Sequence, residues 1–323
     1  MDWEDIIMHI TDRLYNKKWG IFNHYLNFET EDGDPDWNIR IDGIDTEKIA
    51  HTLNKMGAGY YFITIMQGTK YLIAPNKTYE DIMGVENGII TPKRDVILDL
   101  YKSLSKYGID LYLYFTGDGP HNDEIGKQRF GFSYDSNDIW PGGCSKAVPL
   151  TGDKAVSREF VEKWASVLRE YAERYKDKVC GWWVDGCYSF FGYNDELLKI
   201  YYDAIKAGNP NAVTAFNTGV FPETKKWFKD EEFTAGEFND FTYIPTERFN
   251  DGAQNHILAP LGRKEPPVHS NGWAYIGAKR SHEYMKNYIS EVNKNGGVVT
   301  VDIKVYADGS FDPEQAEIMT LKE

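Results

Sequence analysis

Short apolar runs alternate with helical stretches along most of the chain. Apolar residues recur every three to four positions at Ile49, Leu53 and Met56, at Val96, Leu100 and Leu104, and at Phe160, Trp164, Leu168 and Tyr171. That period marks one face of an α-helix. It predicts helices over 45–56, 95–107 and 157–175, with others over 3–15, 194–207 and 284–294. Asp45 or Thr46 can cap the first of these and Ser157 a later one, while Gly57 and Gly108 stand where two helices should end. Between the helices lie runs rich in Val, Ile, Tyr, Phe and Trp. They predict strands at 18–24, 60–66, 111–115, 179–185, 212–217, 233–237, 267–270 and 297–303. The stretches 69–91 and 116–153 read as long loops. Strands and helices in turn make βα units on a parallel sheet, and eight such units are the count of an α/β, TIM-like (β/α)8 barrel. No repeat or low-complexity segment divides the chain, so 1–323 is expected to be a single barrel domain.

In that fold the site lies at the C-terminal ends of the strands. Those ends carry His24, Gln67, Asp118, Asp185, Asn217, Glu237, His269 and Asp302. The stretch Val179-Cys180-Gly181-Trp182-Trp183-Val184-Asp185-Gly186 is the most telling. It is an aromatic strand that ends in a carboxylate, and Gly186 lets the backbone turn. An aspartate after a strand more often caps a helix or anchors a turn. Polar residues at seven other tips favour a site instead.

Composition narrows the partners. Lys and Arg total 36 against 50 Asp and Glu, a net charge of −14, which disfavours nucleic acid and anionic membranes. A neutral ligand such as a carbohydrate is compatible with it. Aromatics make up 15% of the residues, and their faces suit sugar rings, although large barrels also bury many. Cys144, Cys180 and Cys187 match no zinc spacing and are odd in number, so small buried side chains are expected there. No stretch of 18 apolar residues occurs, and the N-terminus has no charged-then-apolar leader. As written, the chain is expected in the cytoplasm.

Two carboxylates on either side of a glycosidic bond can hydrolyse it. Asp185 is the candidate nucleophile and must stay ionised. The proton donor needs a raised pKa, which burial among aromatics supplies. Glu237, set between Phe233 and Phe238, is the first candidate, with Asp240, Glu247 and Asp118 as rivals. Trp183, Trp273 and Tyr275 are candidates for a sugar platform, with core packing an equal reading for Trp183. The histidines 24, 121, 256 and 269 show no paired spacing, so a metal is not expected and no cofactor is called for. No phosphate-binding fingerprint or serine elbow is present.

With those residues in place, the chain resembles the family 29 α-L-fucosidases over most of its length. Trp19-Gly20-Ile21-Phe22-Asn23-His24 is similar to that family's first strand, and Ala58-Gly59-Tyr60-Tyr61-Phe62-Ile63-Thr64 to its second. The helix from Ser157 to Tyr175 followed by Gly181-Trp182-Trp183-Val184-Asp185-Gly186 resembles the helix before its nucleophile strand and the Trp-x-Asp-Gly strand itself. Trp273-Ala274-Tyr275 resembles a later Trp-Gly-Tyr, and 295–309 its final strand. The resemblance implies a retaining exo-glycosidase with Asp185 as nucleophile, a sugar-contacting His24, and an acid/base glutamate some tens of residues later; Glu237 fits this loosely. Three departures stand out. Met66-Gln67-Gly68 replaces the family's His-His-Asp-Gly, whose histidines hold the fucose hydroxyls. Tyr25-Leu26 follows the first histidine where the family has Trp-Gly. No C-terminal β-sandwich is expected. The sugar preference is therefore expected to differ. A non-catalytic carbohydrate-binding barrel is the second reading, and a metal hydrolase using His24, His121 and His269 the third.

Overall fold

The computed structural model describes residues 9–26, 36–143, 145–263 and 271–322. The first five strands come in chain order: β1 (Trp19–Asn23), β2 (Tyr60–Thr64), β3 (Asp110–Thr116), β4 (Gly181–Asp185) and β5 (Val213–Phe216). A small antiparallel hairpin follows, β6 (Phe249–Asn250) and β7 (Ala253–Gln254), then β8 (His256–Pro260) and β9 (Val298–Asp302). Seven of these strands form one parallel sheet in the order β5-β4-β3-β2-β1-β9-β8. The sheet is curled, and helices flank it, as in a TIM-like barrel.

Side-chain alternation along each strand sorts the core into two clusters. Phe22, Tyr60, Phe62, Tyr112, Tyr114, Trp183, Ala215 and Leu258 pack together inside the curl. Their strand neighbours Ile21, Tyr61, Ile63, Leu111, Leu113, Phe115, Trp182 and Val184 pack outward with the helices. Asp185 has the parity of Trp183, so it belongs to the inner set. Room for the large inner rings comes from glycine. A Cβ on Gly20 would sit 2.3 Å from the Tyr60 ring, and one on Gly181 would sit 2.6 Å from the Val213 carbonyl oxygen.

The helices begin where short polar side chains can accept backbone N–H groups. Asp45 accepts from Lys48 at 2.9 Å ahead of Thr46–Met56, and Ser157 from Phe160 at 3.1 Å ahead of Arg158–Tyr175. Gly57 ends the first of these in the left-handed region at φ 88°. The indole of Trp164, fully buried, donates to the Thr116 carbonyl at 2.6 Å and ties the long helix to the tip of β3.

Several expectations need correction. The first helix is described only as Asp12–Lys17, residues 1–8 lying outside the described part. The stretches read as loops contain the short helices Lys77–Met83, Glu124–Phe130 and Ser136–Ile139. These helices have two turns or fewer, too few for a period to show, and each starts at an Asn or Asp cap. The expected strand at 267–270 lies outside the described residues. The strand beside β9 is β8, paired from His256↔Val298 to Pro260↔Asp302. Its terminal proline and opening histidine hid it in the sequence. The expected strand at 233–237 is not regular. It makes isolated parallel bridges, Phe233↔Gln254 and Glu237↔Leu258, and hydrogen bonds to both neighbours. Phe233 N–H donates to the Thr214 carbonyl on β5 at 3.3 Å, and Phe238 N–H to the Leu258 carbonyl on β8 at 2.9 Å.

Candidate active site

The C-terminal ends of the strands surround a cavity of about 330 Å³. Phe22, His24, Leu26, Gln67, Tyr114, Trp183, Asp185, Tyr188, Glu237, Leu258, Trp273 and Ala274 line it. Gly186, at φ 68°, turns the chain sharply after Asp185. A residue with a Cβ would be strained in that conformation.

Asp185 is held by donors on both oxygens. Its Oδ2 accepts from the Tyr114 hydroxyl at 2.5 Å and, at 3.5 Å, from the Gln67 amide. Its Oδ1 accepts from the Asn217 amide at 2.8 Å and the Tyr188 hydroxyl at 3.4 Å. Burial raises its pKa above the ordinary aspartate value, the bonds from Tyr114 and Asn217 pull it back down, and the charge on Asp118 pushes it up. Burial and the Asp185 charge keep the Tyr114 phenol protonated far above its ordinary range, so it acts as a donor.

Glu237 sits across from Asp185, and one amide spans the two. Asn217 Nδ2 lies 2.8 Å from Asp185 Oδ1 and 2.6 Å from Glu237 Oε2, so those oxygens are separated by at most the sum, about 5.4 Å. Burial, and then the Asp185 charge, push Glu237 up to about 7 against the Asn217 bond and the His24 ring. Two acids a short distance apart, the glutamate favouring its proton, form the arrangement that glycosidic bond cleavage requires.

His24 Nδ1 lies 2.9 Å from Asp302 Oδ1. Asp302 is fully buried and its other oxygen accepts the Ala274 N–H at 2.7 Å. An aspartate on Nδ1 sets the tautomer and leaves Nε2 for a ligand hydroxyl. The Ala274 bond also holds that residue at φ 55°, an uncommon conformation for a side chain with a Cβ. Trp273 meets the His24 ring edge-on at 5.8 Å. Trp183 stacks on Tyr114 at 5.4 Å, and its indole donates to the Ala235 carbonyl at 2.9 Å. It therefore packs in the core and forms part of the cavity wall.

Of the expected site residues, Asp185, Glu237, His24, Gln67, Trp183 and Trp273 line the cavity. Asn217 stands behind the two acids, almost wholly buried. Asp118 is not on the wall. It accepts from Thr116 and, at 3.0 Å, from the Tyr134 hydroxyl, and lies 3.1 Å from His121 Nδ1. Tyr275 does not line the cavity, and its carbonyl accepts from Gln315 at 2.7 Å. His269 lies outside the described residues. The rival acids are elsewhere: Asp240 pairs with Arg280, and Glu247 is exposed. His24 and His121 pair with different carboxylates, and among the described residues no group of three or more His, Cys, Asp or Glu is placed to hold a metal ion. Tyr114 and Tyr188 went unrecognised from sequence. Tyr114 could have been found: in-register pairing of β3 with β4 puts it opposite Trp183, diagonal to Asp185.

The chain belongs to the alpha-L-fucosidase family, whose model matches residues 2–321. Among curated proteins none matches it by sequence. Solved structures share the fold. The endo-fucoidan hydrolase MfFcnA9 of glycoside hydrolase family 107 superposes with a TM-score of 0.68 at 16% identity, over 97% of this chain and 64% of its own. The alpha-L-fucosidase AlfC from Lactobacillus casei, bound to alpha-L-fucose product, gives 0.61 at 16% identity, over 97% and 96%. A family 29 alpha-L-fucosidase from Bacteroides thetaiotaomicron gives 0.61 at 18%, over 97% and 72%. The chain spans 64% and 53% of the lengths of the first two fucoidan hydrolases it resembles.

Proposed function

We propose that the protein is a retaining exo-glycoside hydrolase that removes a terminal α-L-fucose or closely related sugar. The Asn217 amide that bridges Asp185 and Glu237 carries the reading. It keeps one oxygen of each carboxylate within about 5.4 Å of the other, which supports the short separation of retaining enzymes, about 5–5.5 Å, over the wider one that admits a water. Asp185 attacks the anomeric carbon. Glu237 gives its proton to the departing oxygen. The covalent glycosyl-enzyme is then hydrolysed by water that Glu237, now ionised, deprotonates. His24 Nε2 and Gln67 take sugar hydroxyls, and Trp183 and Trp273 flank the ring. A cavity of about 330 Å³ suits one sugar unit. In this reading the segment 232–238 is the sixth stave of a (β/α)8 barrel, joining β5 to β8. The test is Asp185→Asn on an α-L-fucoside. Loss of at least about 10³-fold in kcat is expected, and unchanged hydrolysis would remove the assignment.

A further inference from the structure

Tyr188, whose hydroxyl reaches Asp185, is the inner end of a row of aromatic rings that leads away from the cavity. Its ring stacks on Phe190 at 4.9 Å between centroids with 20° between planes. Phe190 meets Trp140 at 5.9 Å and 65°. Exposure rises outward along the row. Tyr188 and Phe190 are half-buried, and Trp140 is 38% exposed. Every other tryptophan among the described residues is buried or half-buried. A large aromatic side chain left partly in water at the outer end of a continuous row offers an apolar face that a ligand can cover.

The row is also held in place. The Phe190 carbonyl accepts the Leu150 N–H at 2.7 Å, and Trp140 N–H donates to Ser136 at 2.8 Å. Behind Phe190, the buried ring of Phe191 packs edge-on at 4.8 Å. Rings fixed in this way bind without first paying the entropy of ordering.

We propose that Tyr188, Phe190 and Trp140 form a shelf that binds the part of a neutral oligosaccharide beyond the cleaved bond. The direction of the chain across the shelf rests on the function proposed above. The cavity holds one ring, so the following units must lie outside it, and the aromatic faces continue outward from Tyr188 on the wall that both carboxylates share. The net charge of −14 favours a neutral glycan over an acidic one.

Calorimetry on the full chain carrying Asp185→Asn tests this, with free L-fucose and neutral α-L-fucosyl oligosaccharides of two to five sugars. Affinity is expected to rise at least about tenfold from fucose to the longer oligosaccharides. Adding Trp140→Ala should abolish that gain while leaving fucose binding within about twofold, and Trp140→Phe should restore most of it. If the longer glycans bind the Trp140→Ala chain as well as its parent, the shelf is wrong. It is equally wrong if the parent binds them no better than fucose. Hydrolysis by the unsubstituted chain is read separately. Binding that depends on Trp140, without turnover, overturns the glycosidase reading and leaves the shelf standing.

Discussion

The two carboxylates differ because their surroundings differ. Asp185 receives hydrogen bonds from Tyr114 and Asn217 that favour its charge, whereas Glu237 has one such bond and faces the Asp185 charge from within a buried setting. The aspartate is the group that ionises first. With Asp185 as attacking group and Glu237 as proton donor, the roles proposed above, activity requires a pH above the raised pKa of Asp185 and below that of Glu237, near 7. A plot of kcat/KM against pH is expected to be bell-shaped, with its alkaline limb near neutrality and its acid limb above the ordinary aspartate range. Asp118→Asn removes a negative neighbour of Asp185 and should shift the acid limb to lower pH. Glu237→Ala should lower kcat by about 10²–10⁴-fold on substrates with poor leaving groups. On activated substrates, whose leaving group needs no proton and for which breakdown of the glycosyl-enzyme limits, azide should recover much of the lost rate as a glycosyl azide. Full rate without azide would assign the acid/base role elsewhere. The place of Asp185 and Glu237 on the cavity wall was legible in sequence because each ends a run of apolar residues, at the strand tips of a barrel. Asn217 was legible only as a strand-end amide. That it bonds both acids depends on the curl of the sheet, which no local pattern encodes.

Strands with uninterrupted apolar runs and helices with long periodic faces were readable to within a few residues. The segments that join β5 to β8 were not, since hydrogen bonds of single residues hold them. Glu231 is the clearest of these. It is buried, and its two oxygens accept the Trp227 N–H at 2.6 Å and the Phe216 N–H at 2.9 Å. It thereby fixes the turn before 232–238 to the end of β5, one residue from Asn217. A glutamine offers one acceptor oxygen where two N–H groups need one each. Glu231→Gln is expected to destabilise the fold by about 1–3 kcal/mol, read from urea unfolding. It should also lower kcat, because Asn217 would lose its anchor. The stretch 116–153 was opaque for a related reason. Its helices are too short for periodicity, and its order comes from the aromatic contacts Tyr134–Phe191 and Phe132–Phe160.

The acids that serve the site affect the stability of the whole molecule. Burial pushes Glu231 up to about 8 against the three backbone N–H groups that bond it, and Glu237 up to about 7. Both start from 4.5. A carboxyl with a raised folded-state pKa keeps its proton longer in the native than in the unfolded chain. Its stabilising effect is complete below the unfolded value and is lost as pH rises through the folded one. His256 acts in the opposite sense lower down. Burial lowers it to about 4 despite hydrogen bonds to Thr234 and Ala235, so the native state gains stability as pH rises from there to the ordinary histidine value of 6.5. Between about pH 6.5 and 8 the glutamates act without that compensation. Unfolding free energy should fall across this window, by at most about 1.4 kcal/mol per pH unit for each group. Glu237 opens on the cavity and contributes the smaller share. Urea midpoints taken at half-unit steps check the prediction, and Glu231→Leu should flatten the slope whatever it does to the midpoint. A midpoint that stays nearly flat between pH 6.5 and 8, and that Glu231→Leu does not flatten further, would mean Glu231 is ionised in the native fold, its backbone donors outweighing its burial.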